Sequence, residues 1–351
     1  MSIESTSNAN LHRAKKAQND EFYTQYADIE KELQHYTKHF IGKSVFCNCD
    51  DPFASSFSQY FIKNFNRLQL KKLVCTSYAS SPVVTDVNLY DSQGNTLSSA
   101  SGYVLSLYRV PAKITPQSTE EQIVEWLRKT KYIKKLKGNG DFRSNECVQL
   151  LKQSDICVTN PPFSLFRELM ALIMKYNKQF LLIGNANALT YKEIFPLLQQ
   201  NKVWIGYHFG DMAFKVPDSA EARSTRFWQD EKGQKWRSLG NAMWLTNMDV
   251  DRRHEFLPLT TKYSPVTHPK FDMYDAIECG KVSNIPFDYD GIMAVPITFL
   301  NKHNPEQFEI LGEANHGSDN PFDLFKPTIN GKLVYKRILI RKVRKESHDE
   351  L

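Results

Sequence analysis

At 351 residues, with 41% hydrophobic and 24% charged residues, the chain has the composition of a globular protein with room for an extensive core. The formal net charge of +6 permits a polyanionic partner without demanding one, and no apolar run reaches membrane-spanning length. Six cysteines are scattered, with Cys47-Asn48-Cys49 as the one close-spaced pair, which is too little for a zinc site; a reducing cytoplasm is expected, and the start Met1-Ser2-Ile3-Glu4-Ser5-Thr6 lacks the basic-then-apolar pattern of export.

Ile29, Leu33 and Tyr36 recur at helical spacing and predict a helix from about Ala27 to Phe40. A first strand is expected at Ser44–Cys49, ending in Asp50-Asp51-Pro52-Phe53, with a helix over Ala54–Phe61 whose start those aspartates can cap. Lys71–Tyr78 reads as a second strand, and the turn Asp91–Asn95 with the strand Tyr103–Tyr108 as a hairpin insertion. Ser118-Thr119-Glu120-Glu121-Gln122 carries capping chemistry and opens a helix through Leu127. That helix runs on into the basic stretch Arg128, Lys129, Lys131, Lys134, Lys135 and Lys137, a solvated face or a phosphate contact. Gly138-Asn139-Gly140-Asp141-Phe142 is a glycine-punctuated loop.

The central stretch follows. Ile156–Thr159 is β-branched or apolar and predicts a buried strand, which Pro161 and Pro162 must end because neither donates a ladder hydrogen bond. Ser164 then opens an apolar-spaced helix through Met174. Strands at Gln179–Gly184 and Lys202–Tyr207 flank a helix over Tyr191–Leu198; strands alternating with helices imply a mainly parallel sheet with right-handed crossovers. In such sheets ligands bind at the carboxyl ends of strands, where Asn160 to Phe163 fall and where Asn185-Ala186-Asn187 forms a second edge. Phe209 to Trp228 reads as loop-rich, and a strand is expected at Ala242–Thr246. Arginine interleaved with aromatics there suits phosphate clamping, with Arg223 and Arg226 favoured over Trp228 and Trp236. From Asp251 the prolines at 258, 265, 269, 286, 296 and 305 exclude long helices. The division expected is residues 1–250 as the catalytic domain and 251–351 as a smaller β-rich part. That part includes the strand Ile292–Val295 and a basic strand over Lys332–Lys345, with Lys336, Arg337 and Arg341 as candidate DNA contacts.

The chemistry of the turn comes from its residue types. Two prolines stiffen the backbone, so the Asn160 carboxamide oxygen and a neighbouring carbonyl can accept both hydrogens of an exocyclic amine and aim its lone pair. Phe163 offers a flat face for a planar base.

Asn160-Pro161-Pro162-Phe163, with Gly140-Asp141-Phe142-Arg143-Ser144 before it and Ser164-Leu165-Phe166 after it, resembles the EcoRI-type adenine-specific DNA methyltransferases. The likeness runs from about Asn19 to the basic tail near Arg341. It implies an α/β fold: a Rossmann-like S-adenosylmethionine-dependent methyltransferase sheet with helices on both faces, plus the β-rich C-terminal part. The expected reaction transfers a methyl group from S-adenosyl-L-methionine to N6 of a flipped-out adenine in double-stranded DNA, with neither a metal nor a covalent enzyme intermediate. Asn160, Pro161, Pro162 and Phe163 are the implied catalytic group. The implied cofactor contacts are Phe22, Tyr23 and Thr24 over the methionine end, Asp50 or Asp51 with Pro52 and Ser55, Asp141 on the adenine amine with Phe142 beside it, and Asn160. A monomer is expected, working beside a cognate restriction endonuclease without a stable complex. Two features depart from the broader methyltransferase pattern: Asp-Asp-Pro stands where glycines usually follow the first strand, and no acid follows the second, where Tyr78 is the nearest candidate for the ribose. Related motifs methylate RNA adenine, cytosine N4 or a protein glutamine amide, and a non-catalytic DNA-binding relative is the remaining alternative.

Overall fold

The computed structural model describes residues 23–79, 101–218, 220–222, 224–315 and 320–344. The chain forms two compact units, one of Met1–Ala186 with His208–Met248 and the other of Asn187–Tyr207 with Asp249–Leu351. Among the described residues no helix is long and apolar enough to cross a membrane.

The large sheet has ten strands: β1 (Tyr23–Thr24), β2 (Ser44–Cys47), β3 (Lys72–Thr76), β4 (Tyr103–Leu107), β5 (Ile133–Lys135), β6 (Ile156–Thr159), β7 (Gln179–Asn185), β8 (Trp204–Lys215), β9 (Phe227–Gln229) and β10 (Lys235–Thr246). Their order is β1-β8-β10-β7-β6-β2-β3-β4-β5, with β9 on β10. The centre, β3-β2-β6-β7, is parallel. Every residue of β2 and β6 is buried, which explains their unbroken apolar text. The expectation of a mainly parallel sheet fails at the flanks, where β3–β4, β4–β5, β7–β10 and β1–β8 are antiparallel and the sheet is mixed.

Several expected elements take a different form. The first helix divides into Tyr26–Leu33, a 3₁₀ turn at Gln34–Tyr36 and Thr37–Phe40. β4 is not part of a separate hairpin but lies between β3 and β5 in the main sheet; the turn expected at Asp91–Asn95 falls outside the described residues. The capping box at Thr119 is present, with the helix Glu120–Arg128 ending before the basic run, whose Lys134 and Lys135 stand exposed on β5. Ser164 does not cap: a 3₁₀ turn at Phe163–Leu165 leads into the helix Phe166–Lys175, and Leu165 occupies the cap. The helix expected at Tyr191–Leu198 is a 3₁₀ turn, Ala186–Thr190, and a short helix, Phe195–Gln199. The stretch read as loop from Phe209 is strand through Lys215, and β10 begins at Lys235, seven residues before Ala242.

Packing fixes the centre. The helix Ser56–Asn64, capped by Ser55 accepting from the Phe57 amide at 3.1 Å, buries Phe57, Tyr60 and Phe61. Phe57 meets the fully buried Trp244 of β10 edge-on at 5.8 Å, and Phe61 meets Phe40 at 5.2 Å.

In the other unit, β11 (Ala276–Glu278), β12 (Ile292–Val295), β13 (Phe308–Ala314), β14 (Asp323–Phe325), the short pair β15 (Thr328–Ile329) and β16 (Lys332–Leu333), and β17 (Arg337–Lys342) are the strands. Five of them form a sheet in the order β11-β12-β17-β13-β14 over Phe271, Ala276, Ala294, Ala314 and Leu339. The basic tail is thus two strands, β16 and then β17, and β16 is turned back on β15 by Asn330-Gly331, both in the left-handed region that a tight hairpin turn needs.

Candidate active site

The carboxyl ends of β3, β2 and β6 lie side by side, and hydroxyl groups tie them together. Thr159, the last residue of β6, donates to the Asn48 carbonyl; Thr76, the last of β3, accepts from the Cys49 amide at 3.3 Å and donates to Asn48 Oδ1 at 3.3 Å. Cys49 takes a left-handed conformation (φ +66°), which turns the chain sharply into Asp50.

The two aspartates that follow part company here. Asp51 Oδ1 accepts from the amides of Phe53 and Ala54 at 2.8 and 3.3 Å, and Oδ2 accepts from the Tyr103 hydroxyl at 2.6 Å. Asp51 is therefore committed to the turn and to β4. Asp50 accepts from the Ser55 hydroxyl at 2.7 Å through Oδ1, while its buried Oδ2 has no hydrogen-bond partner. Burial pushes the Asp50 carboxyl up to about 7; the Ser55 hydrogen bond opposes that, and the charge of Asp51 adds to it. Pro52 beside them is buried.

Asn160 is half-buried directly after β6, and its Nδ2 donates to Thr24 Oγ1 at 3.1 Å. Thr24 is held in turn by β1, paired with β8 at Tyr23↔Lys215 and Thr24↔Phe214. Pro161 is buried, and Pro162 and Phe163 are half-buried. Thr24, Asp50, Ser55 and Asn160 are thus gathered at one edge of the sheet, whereas Phe22 lies outside the described residues.

On the other side of β3 the loop Asn139–Phe142 packs backbone to backbone against Ser77. A Cβ on Gly140 (φ +84°) would lie 2.1 Å from the Ser77 carbonyl oxygen, and one on Gly102 would lie 2.5 Å from that same atom. Asn139 Nδ2 donates to the Tyr78 hydroxyl at 3.0 Å. Phe142 is buried. Asp141 accepts from the Arg143 backbone amide at 2.8 Å and from its guanidinium at 2.6 Å, while Arg143 also reaches Glu168 at 2.7 Å. Partial burial pushes the Asp141 carboxyl up, but the Arg143 bonds and charge outweigh it and hold the group below the usual carboxylate range.

The expected DNA contacts are dispersed. Arg226 pairs with Asp211 at 2.9 Å in the same unit as Asn160, and Trp228 and Trp236 stack at 6.3 Å with their planes 7° apart. Arg223 falls outside the described residues. In the other unit, Arg337 is 12% exposed and pairs with Glu278 at 2.5 Å, Arg341 pairs with Glu309 at 2.6 Å, and Lys336 Nζ donates to Thr190 Oγ1 at 3.3 Å. The sequence reading missed Asn48, Thr76, Thr159 and Tyr103, which position the site without facing it. Their signal, a hydroxyl or amide closing an apolar strand, is visible for Thr76 and Thr159 but says nothing about which partner it finds.

A family profile described as "Adenine-specific methyltransferase EcoRI" matches residues 10–343 of the chain. The chain belongs to the EcoRI-type adenine-specific methyltransferase family. The relatives include the Type II methyltransferase M.EcoRI of Escherichia coli, 44% identical over 338 residues, which covers 95% of this chain and 96% of that one. Type II methyltransferase M.MgeORF184P of Mycoplasma genitalium is 37% identical, with 95% of this chain and 98% of that one covered. Type II methyltransferase M.MpnI of Mycoplasma pneumoniae is 38% identical, with 86% and 84% covered. No solved structure matches the chain.

Proposed function

We propose that this protein is a site-specific DNA methyltransferase that moves a methyl group from S-adenosyl-L-methionine to the N6 amine of an adenine turned out of double-stranded DNA. The observation that carries this reading is the placement of Asn160, anchored by Thr24, one strand from Asp50 on the carboxyl edge of a parallel core. The parallel centre β3-β2-β6-β7, with β10 antiparallel beside β7, supports a Rossmann-like methyltransferase sheet.

The residues fit the cofactor. Asp50 keeps one buried carboxylate oxygen without a partner, which suits an ammonium group. Asp50 with Ser55 would hold the methionine end, Tyr23 and Thr24 would cover it, and Asp141 with Phe142 would receive the adenine. The Tyr78 hydroxyl, joined to Asn139, is the polar group at the end of β3, where an acid is absent, and is assigned to the ribose. Bound there, the cofactor supplies a methyl group made electrophilic by its sulfonium.

The protein's own contribution is orientation. The Asn160 carboxamide oxygen and the Pro161 carbonyl accept the two hydrogens of the target amine, which concentrates electron density on nitrogen and points its lone pair. Phe163 stacks on the purine and offsets part of the few kcal/mol that leaving the duplex costs. Asn160→Ala removes one acceptor from the transition state, so methyl transfer to DNA falls about 10²–10³-fold. Calorimetric affinity for S-adenosylmethionine stays within a few-fold. Wild-type turnover in that variant would remove Asn160 from its role.

A further inference from the structure

The Arg143 side chain binds two acids in a turn that is complete without it. Asp141 Oδ1 accepts from the Arg143 backbone amide at 2.8 Å, and the Asp141 amide donates to Asn139 Oδ1 at 3.1 Å. The Ser144 amide donates to the Asp141 carbonyl at 2.9 Å, and Ser144 Oγ accepts from the Cys147 amide at 3.2 Å, capping the helix Asn145–Gln153. Side-chain oxygens and backbone amides therefore already close the turn and start the helix.

The guanidinium adds a second layer. Nε donates to Asp141 Oδ1 at 2.9 Å, with a weaker arm to Oδ2 at 3.3 Å, and Nη2 donates to Oδ2 at 2.6 Å. Nη1 donates to Glu168 Oε2 at 2.7 Å. Glu168 stands in the first turn of the helix Phe166–Lys175, which follows Asn160-Pro161-Pro162 through the 3₁₀ turn Phe163–Leu165. The guanidinium also lies 5.5 Å over the Phe142 ring. The Arg143 and Glu168 side chains are 47% and 46% exposed, and ion pairs so exposed contribute little to stability. Stability does not account for this arrangement. Fixing the plane of the Asp141 carboxylate does.

An ionised carboxylate offers about four acceptor positions. Arg143 fills two on Oδ1 and one on Oδ2, which leaves the second position of Oδ2 in a plane set by the two-pronged pair. Against the upward push of partial burial, the same bonds hold the carboxyl below the usual carboxylate range, so it remains an acceptor at neutral pH. We propose that Arg143 is a positioning residue: braced by Glu168, it turns the Asp141 carboxylate so that Oδ2 accepts from the exocyclic amine of the cofactor's adenine. The inference deepens the cofactor reading above and rests on it. Arg143 touches no reacting atom; its effect is selection of a purine that carries an amine. A purine with a carbonyl oxygen at that place would set two acceptors against each other.

Calorimetry with S-adenosylhomocysteine and S-inosylhomocysteine tests this, because the two differ in an amine or a carbonyl oxygen at purine C6. The wild-type protein should prefer the adenosyl compound by about ten- to a hundredfold, the worth of a hydrogen bond to a charged acceptor. Arg143→Gln removes the charge, and Arg143→Lys keeps the charge but loses the two-pronged grip. Each should cut the preference to within about threefold, with affinity for the inosyl compound almost unchanged. In an Asp141→Asn background, Arg143→Gln should lower the preference no further. Far-ultraviolet circular dichroism confirms that the variants are folded. Equal losses for both compounds in folded variants overturn the proposal, since a merely structural residue acts on both alike. A full preference in either variant overturns it too. A wild-type protein that binds both compounds equally takes Asp141 off the amine, and Arg143 with it, while the methyl-transfer reading stands. One that binds neither overturns that reading as well.

Discussion

Asp50 and Asp51 are chemically identical neighbours that the fold sends to different work. Asp51 is satisfied by two turn amides and the Tyr103 hydroxyl, whereas Asp50 is sealed under the turn with one oxygen unmet. The Asp50 carboxyl is pushed up to about 7, while in the unfolded chain an aspartate titrates near 3.9. Between those values the folded protein holds a proton that the unfolded chain has lost. The Asp50 contribution to stability is therefore greatest below about pH 4, falls as pH rises toward 7, and levels off above that. Glu313, buried in β13 and also pushed up to about 7, acts in the same direction, and His303, pushed down to about 4 by burial, offsets part of the two. Denaturant midpoints of the free protein across this window should fall with rising pH, and Asp50→Asn should flatten the slope in part, leaving the share due to Glu313. A slope identical to wild type would mean that Asp50 is ionised in the fold. The pair of acids was legible in the sequence; the choice between them was not, because Tyr103 lies 52 residues further on.

The elements differ in how far the local text determined them. Thr119 and Gln122 form their capping box from within one turn of chain, and such a start can be read directly. The central strand was equally legible, since Ile156–Thr159 is buried on both faces and Pro161-Pro162 ends it. The close packing of the Asn139–Phe142 loop on β3 was half legible: the glycines announced a loop but not what they approach. Gly140→Ala places a Cβ 2.1 Å from the Ser77 carbonyl in a left-handed backbone. Overpacking together with the conformational penalty should cost at least about 2 kcal/mol, read from urea denaturation. Affinity for S-adenosylmethionine should weaken as well, because the loop carries Asp141. Full stability in that variant would show that the loop can retreat from Ser77. Part of the β8–β10 ribbon was misread as loop: residues 235–241 of β10 are half-buried or exposed and give no buried stripe, whereas Met212 and Phe214 of β8 do alternate with Asp211, Ala213 and Lys215 and could have been read as strand.

For the whole molecule, the mild charge of +6 does not by itself identify a DNA enzyme. Its distribution is more informative. Arg337 is paired with Glu278 and Arg341 with Glu309 in one unit, and Arg226 with Asp211 in the unit that carries Asn160. Expression in a host whose DNA lacks N6-methyladenine should therefore introduce that base, detected by nucleoside chromatography of digested DNA. N4-methylcytosine should be absent, and both should be lacking with Asn160→Ala. N4-methylcytosine in its place would reassign the substrate while keeping the fold.

The sequence by itself determined the elements whose causes lie within a few residues: the proline-ended strand, the capped helices, the asparagine and phenylalanine at the turn, and the family likeness those residues carry. Tertiary structure alone decided which groups meet. Asn160 is anchored by Thr24 from 136 residues away, Asp51 by Tyr103, and the sheet turns antiparallel at its flanks through pairings no local pattern specifies. The physical reason is the same in each case. Backbone preference and capping act over one turn of chain, whereas burial and hydrogen-bond satisfaction are settled by whichever distant residue the fold brings alongside.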